Sequence, residues 1–271
     1  MRIYTETVNY YCKLHHSYRS FPVLLMLHGF MGSGRVFEPL IPKMSTFCNP
    51  LTIDLAGHGK TLTPCDPALF SAERQSEQIL SLLNRLHLKP LYIYGYSMGG
   101  RLAFQLMARY PELFAGVIIE SAHCGIADES ERKNRTKTDE ERAAAIESDF
   151  DEFLNNWNSL PLFDHTSKEM KDLYHHFAES QNPELMAASL RGFGAGNMPP
   201  VCEQIKKSQL PVKLIAGSKD KTYVSIMEKI SASCSFCTLD TVHDAGHRVH
   251  ADKPEEWLRI IRKFLDMNIL R

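Results

Sequence analysis

A mostly parallel α/β sheet with helices on both faces is predicted by three features of the sequence. Short apolar runs alternate with longer amphipathic stretches, a glycine-flanked serine sits between one such run and one such stretch, and a long strand-free segment interrupts the alternation. Alternation of this kind places a crossover helix between neighbouring parallel strands. Val23–Leu27, Leu51–Leu55, Leu91–Tyr94, Gly116–Ile119, Val212–Ala216 and Phe236–Leu239 read as buried strands. Ala72–Leu88 carries Ile79, Leu82, Leu83 and Leu86 on one stripe and reads as a helix, as does Met98–Tyr110. Pro254–Leu265 reads as the last helix, with proline in its first turn. The opening residues, rich in Tyr and Thr, suit an antiparallel hairpin at one edge.

From about His123 to Lys207 no strand is legible. The segment holds charged, helix-like runs at Glu129–Ile146, Phe150–Asn156, Met170–Ala178 and Pro183–Leu190. The expected organisation is a core of residues 1–122 and 208–271, with residues 123–207 inserted as a helical cap over the site.

Composition narrows the function. The 271 residues suit one domain with an insertion, and 44% hydrophobic residues are ample for a core. A formal charge of −1 argues against non-specific binding of nucleic acid or of an anionic membrane. Any arginine that matters therefore acts locally. The seven cysteines (Cys12, Cys48, Cys65, Cys124, Cys202, Cys234, Cys237) lack paired metal-ligand spacing, and Cys234-x-x-Cys237 has no thioredoxin-like context. They read as buried thiols of a reduced, cytoplasmic protein. The N-terminus has no apolar core of a signal peptide, and the apolar run Phe21–Leu27 is too short to span a bilayer.

The chemistry centres on Gly95-Tyr96-Ser97-Met98-Gly99-Gly100, which follows a predicted strand and opens a predicted helix. G-x-S-x-G in that context is the nucleophile elbow of the α/β-hydrolase fold: a sharp turn lifts the hydroxyl above the sheet, and glycines relieve the crowding. The N–H of Met98 then faces the reacting oxygen from a helix N-terminus. The loop His28-Gly29-Phe30-Met31 follows the first buried strand and supplies a second such donor, the N–H of Phe30.

A serine of this kind needs a base, and the base needs a carboxylate to fix its tautomer. Chain order in this fold is serine, acid, histidine. Asp220 lies just past the strand Val212–Ala216, and His247 lies between the last strand and the last helix. His243, His250, Asp240 and Asp244 are nearby rivals. Arg101 stands four residues after Ser97, one turn on and on the same helix face. A fixed guanidinium there suits a carboxylate-bearing substrate better than a lipid.

Leu27-His28-Gly29-Phe30-Met31-Gly32-Ser33-Gly34, Asp54-Leu55-Ala56-Gly57-His58-Gly59 and Gly95-Tyr96-Ser97-Met98-Gly99-Gly100-Arg101 together resemble the 2-succinyl-6-hydroxy-2,4-cyclohexadiene-1-carboxylate synthase (MenH) family of menaquinone biosynthesis. Glu131-Arg132, Arg135, Asp139, and Trp157 ahead of Pro161-Leu162-Phe163, resemble that family's cap. The resemblance implies a lyase that removes pyruvate from an enolpyruvyl-bearing cyclohexene tricarboxylate, with the triad serine acting as a base and no cofactor or metal. By motif, Ser97, Asp220 and His247 match the triad. Tyr96, Arg101, Arg135 and Trp157 match substrate-binding positions, and His28 is placed with them. The implied partner is a small-molecule polycarboxylate; the sequence gives no oligomeric state.

Two positions depart from the family. Ala56 stands where a proline usually precedes Gly57. Ahead of Asn182, His175-His176-Phe177-Ala178 stands where the family has a second cap arginine, which leaves three readings: Arg191 substitutes, a histidine substitutes, or the substrate differs. The competing functions are an ester or thioester hydrolase, a carbon–carbon bond hydrolase, both using Ser97 as nucleophile, and a binder with an inert triad.

Overall fold

The structure is a computed structural model that describes residues 1–88 and 91–269. Its strands are β1 (Arg2–Thr5), β2 (Val8–Leu14), β3 (Val23–Leu27), β4 (Asn49–Ile53), β5 (Leu91–Tyr96), β6 (Phe114–Glu120), β7 (Val212–Gly217) and β8 (Cys237–Val242). They form one sheet in the order β1-β2-β4-β3-β5-β6-β7-β8. The first two form an antiparallel hairpin whose second strand pairs antiparallel with β4, and every pairing from β4 to β8 is parallel.

A sheet covered on both faces buries its strands on both sides, so they read as continuous apolar runs. In β3, Leu25 and Leu27 enter the core layer that holds Ile79, Leu102 and Leu106, while Leu24 and Met26 enter the layer with Trp257, Ile261 and Leu265. The helices are α1 (Ile41–Met44), α2 (Ala72–Leu86) and α3 (Met98–Arg109), then α4 (Glu129–Ser148), α5 (Phe150–Asn158), α6 (Lys168–Glu179), α7 (Pro183–Phe193) and α8 (Cys202–Lys207), and finally α9 (Lys221–Ser233), α10 (Val249–Asp252) and α11 (Pro254–Ile269).

Helices α4 to α8 all fall between β6 and β7. Four of them begin at side-chain caps: Asp128 accepts from the Glu131 N–H, Asp149 from Glu152, Ser167 from Met170 and Asn182 from Leu185. Such caps satisfy backbone donors that a helix start leaves unpaired. A third apolar cluster lies beneath these helices, where Ile146, Phe153, Leu154, Met186 and Leu190 pack with Met31 of the loop after β3. That contact seats the inserted segment over one end of the sheet.

Two expectations are corrected. The last strand begins at Cys237 and runs to Val242, because its register against β7 pairs Val212 with Cys237 and Gly217 with Val242. Phe236 lies outside it and is exposed. Nor are all the cysteines free thiols. Cys124 is bridged to Cys202, and Cys234 to Cys237. Cys124 follows β6 and Cys202 opens α8, so the first bridge ties together the two ends of the inserted segment. Among the described residues no helix is long and apolar enough to cross a membrane.

Candidate active site

Ser97 sits between β5 and α3 with φ 52° and ψ −110°. The left-handed region is strained for a residue with a side chain. Here the strain turns the chain sharply enough to bring α3 back over the strand ends. The glycines of the motif have a measurable reason: a Cβ on Gly95 would lie 2.3 Å from the Gly99 carbonyl oxygen, and one on Gly99 would lie 2.3 Å from that of Leu27. Met98 is the first residue of α3. Its N–H therefore has no acceptor four residues back and is free to serve the site.

The candidate acid and base, Asp220 and His247, come from neighbouring strand ends. Gly217 at the end of β7 packs so closely on the β8 loop that a Cβ there would lie 2.1 Å from the Gly246 carbonyl oxygen. Backbone bonds lock the two loops, with Ser218 donating to Val242 and Lys219 to Ala245 at 2.9 and 3.0 Å. Asp220 is the N-cap of α9: Oδ1 accepts from the Tyr223 N–H at 3.2 Å. Its other oxygen, Oδ2, accepts from His247 Nδ1 at 2.6 Å. His247 Nε2 accepts in turn from the Ser97 hydroxyl at 3.1 Å. Asp220 and His247 are both buried.

The serine opens into a cavity of about 630 Å³. The elbow and the β3 loop (Phe30, Tyr96, Ser97, Met98) form its floor, and helices α4 to α7 contribute Arg135, Arg142, Trp157 and Leu190. Trp157 lies 5.6 Å from the Phe30 ring and stacks on Phe153 at 5.8 Å. Four arginines, at 101, 135, 142 and 248, share the cavity wall. Arg101 Nη1 donates to the Phe193 carbonyl at 2.8 Å. Its removal from water, and then the charge of Arg135, lower its pKa to about 10. Arg135 Nε donates to the buried Asp139 at 2.8 Å, and Arg142 sits over the Trp157 ring at 5.4 Å. His123, also on the wall, is lowered to about 3 by burial first and then by Arg101 and Arg135. Two acids, Asp128 and Glu131, lie on the wall as well. The positive charge still dominates, since such fields add in a low-dielectric cleft.

His28 is a correction. It lies off the cavity wall, fully buried, with Nδ1 donating to the Gly29 carbonyl at 2.7 Å and Nε2 accepting from the Leu55 N–H at 2.9 Å. Both ring nitrogens are committed to holding the β3 and β4 loops together, so none is left for a substrate. The candidate substitutes for the second cap arginine are elsewhere too. Arg191 pairs with Glu140 and Glu147 on the protein exterior. His175 bonds Asn158 and Glu179, and His176 faces Glu179.

Among the rivals, His243 is exposed beside Asp244, and Asp240 pairs with Lys213 at 2.9 Å. His250 is buried in a separate network. Its Nδ1 donates to Glu120 at 2.7 Å and its Nε2 accepts from the Tyr174 hydroxyl at 2.6 Å. The wall residues that escaped the sequence reading include Arg142, Tyr223 and Arg248. Arg142 stands seven residues after Arg135, two turns along one helix face, which is a signal that was available. Tyr223, in the first turn after Asp220, lies 4.8 Å from the His247 ring.

Residues 22–254 match the family described as alpha/beta hydrolase fold. The chain belongs to that family. Among curated relatives, a Bacillus subtilis (strain 168) protein provisionally named 2-succinyl-6-hydroxy-2,4-cyclohexadiene-1-carboxylate synthase is 29% identical over 246 residues, covering 89% of each chain. The enzyme of that name from Salmonella paratyphi C (strain RKS4594) is 25% identical over 237 residues, 86% of this chain and 89% of its own. Among solved structures, MenH from S. aureus superposes with a TM-score of 0.89 at 27% identity, over 97% of this chain and 99% of that one. A thermophilic esterase from Thermogutta terrifontis reaches a TM-score of 0.84 at 20% identity over 98% of both chains, a likeness of fold.

Proposed function

We propose that this member of the alpha/beta hydrolase fold family is a carbon–oxygen lyase. It eliminates pyruvate from 2-succinyl-5-enolpyruvyl-6-hydroxy-3-cyclohexene-1-carboxylate to give 2-succinyl-6-hydroxy-2,4-cyclohexadiene-1-carboxylate. The observation that carries the reading is the pairing, in one cavity, of a serine hydrogen-bonded to a histidine with four arginines. A neutral ester offers nothing for those cations to bind. This substrate carries three carboxylates, and a buried carboxylate without a partner is very costly.

The chemistry follows from the groups present. The ring proton beside the succinyl ketone is acidic because the ketone takes up the charge. Ser97 removes it while its own proton passes to His247 Nε2, and Asp220 stabilises the imidazolium through Nδ1–H. Negative charge develops on the ketone oxygen, where the N–H groups of Phe30 and Met98 receive it. The electron pair then shifts through the ring double bond and breaks the carbon–oxygen bond to the enolpyruvyl group. Pyruvate leaves as its enolate and takes up a proton. No acyl-enzyme forms, and no redox or metal step is required. Helices α4 to α8, residues 123–207, serve as the cap that covers this site. Arg101 and Arg135 bind substrate carboxylates, and Trp157 and Tyr96 pack against the ring.

The test is to generate the enolpyruvyl substrate in situ and measure pyruvate alongside the conjugated diene. One-to-one appearance of the two supports the lyase. Ester hydrolysis with a trapped acyl-enzyme, and no pyruvate, would replace it with a hydrolase.

A further inference from the structure

Arg248 follows the base His247 directly, yet its surroundings come from the inserted helices. Its guanidinium lies between two rings, 3.9 Å from the Phe163 centroid and 4.1 Å from that of Tyr174. The residue is 5% exposed and lies on the cavity wall. The Tyr96 hydroxyl adjoins it. Its Nε and Nη1 nevertheless find no hydrogen-bond acceptor, and among the described residues it forms no ion pair. Two carboxylates stand near this end of the cavity, those of Glu120 and Asp252. Glu120 is taken by the Tyr94 hydroxyl and by His250, at 2.7 Å each, and Asp252 accepts from the Gly246 N–H at 2.7 Å through Oδ2, while its Oδ1 reaches no donor, that of Arg248 included.

A buried guanidinium with unused donors is costly unless an anion meets it. Stacking between two rings fixes the plane of the fork, which is the arrangement that binds a carboxylate through two parallel bonds. We propose that Arg248 is a carboxylate-binding residue of this cavity, supplying from the loop after His247 a cation on the side of the cavity away from α4. Its ligand class is a small polycarboxylate, and the assignment rests on the lyase reading for the identity of that ligand only. Because both stacking rings belong to the inserted segment, the subsite is complete only when that segment is seated.

Binding tests this without turnover. The probe is ortho-succinylbenzoate, an aromatic dicarboxylate with the succinyl arm and ring carboxylate of the product skeleton, set beside its two monomethyl esters. Isothermal titration is run on the wild-type chain, on Arg248→Met, which keeps the stem between the rings, and on Arg248→Lys. The dicarboxylate should bind Arg248→Met at least about tenfold more weakly than wild type. One monoester should show the same loss. The other, lacking the carboxylate that Arg248 holds, should bind both proteins alike. Arg248→Lys should recover part of the loss. If Arg248→Met does not fold by thermal melt, the lysine variant decides, with a loss on the dicarboxylate and none on that same monoester.

Equal losses on all three probes would make Arg248 a packing residue, and unchanged affinities, or a wild type that binds the dicarboxylate no better than its esters, would overturn the subsite. Wild-type binding in this pattern without pyruvate release would leave the subsite standing and remove the lyase reading instead.

Discussion

The backbone N–H of Arg101 donates to the carbonyl of Ser97 at 2.9 Å. The hydroxyl proposed to start the reaction and a cation proposed to read the substrate therefore ride on one rigid helical turn. A change in one position is felt at a fixed distance from the other.

Arg101→Ala should lower kcat/KM for the enolpyruvyl tricarboxylate by at least about tenfold, since a charge-assisted bond contributes roughly 1.5–3 kcal/mol. Turnover of a neutral p-nitrophenyl ester, where measurable, should hardly change. Arg101→Lys should recover only part, because it keeps the charge and loses the fork. Parallel losses on both substrates, with an unchanged melt, would make Arg101 structural.

Arg135 reaches the cavity from α4, whereas Arg132, three residues earlier, turns its Nη1 to the Ile126 carbonyl. Arg135→Ala should raise KM clearly more than Arg132→Ala. Steady-state kinetics on the two variants check this, and equal small effects would remove Arg135 from the binding set.

Ser97 and His247 share one proton path, so their losses should not add. His247→Ala should cost about as much as Ser97→Ala, and the double variant little more than either. Additive losses in pyruvate release would count against the pairing.

Much of the frame was legible in the sequence because its signals are local. Strand Val23–Leu27 is an apolar run buried on both faces, and Ser97 is flanked by glycines that the turn cannot do without. Arg248 was not legible, since its stacking partners Phe163 and Tyr174 lie some eighty residues away and only the packing of α6 and the turn before it against the last loops unites them. His28 misled for the opposite reason. Its motif marks the loop that forms the site, but both its nitrogens are spent inside that loop. The bridge between Cys124 and Cys202 spans 78 residues, and in the sequence the two read as free thiols, because spacing alone does not show that the two ends of the strand-free segment meet.

Stability should fall on acidification. Burial holds His28 at about 4 and His58 at about 3, against an ordinary 6.5. A ring whose folded pKa is depressed takes up its proton in the unfolded chain first. Its stability is therefore full above pH 6.5 and is lost as pH falls from there towards the folded values. Near pH 5 the loss is about 2 kcal/mol for each ring. The Asp54 carboxyl, raised by burial, works the other way. Urea unfolding midpoints of wild type and His58→Phe at neutral pH and near pH 5 separate the two. The drop should be smaller in the variant, and an equal drop would exclude His58 as a source.

The central claim is that Ser97 drives an elimination, and its most direct test is the rate of pyruvate release from 2-succinyl-5-enolpyruvyl-6-hydroxy-3-cyclohexene-1-carboxylate by wild type and by Ser97→Ala. Wild type should release pyruvate well above the uncatalysed rate, one for each diene formed. Ser97→Ala, folded as judged by its melt, should retain less than about a hundredth of that rate, within the range that loss of a positioned base produces. Pyruvate release at the uncatalysed rate in wild type, or an undiminished rate in Ser97→Ala, would contradict it.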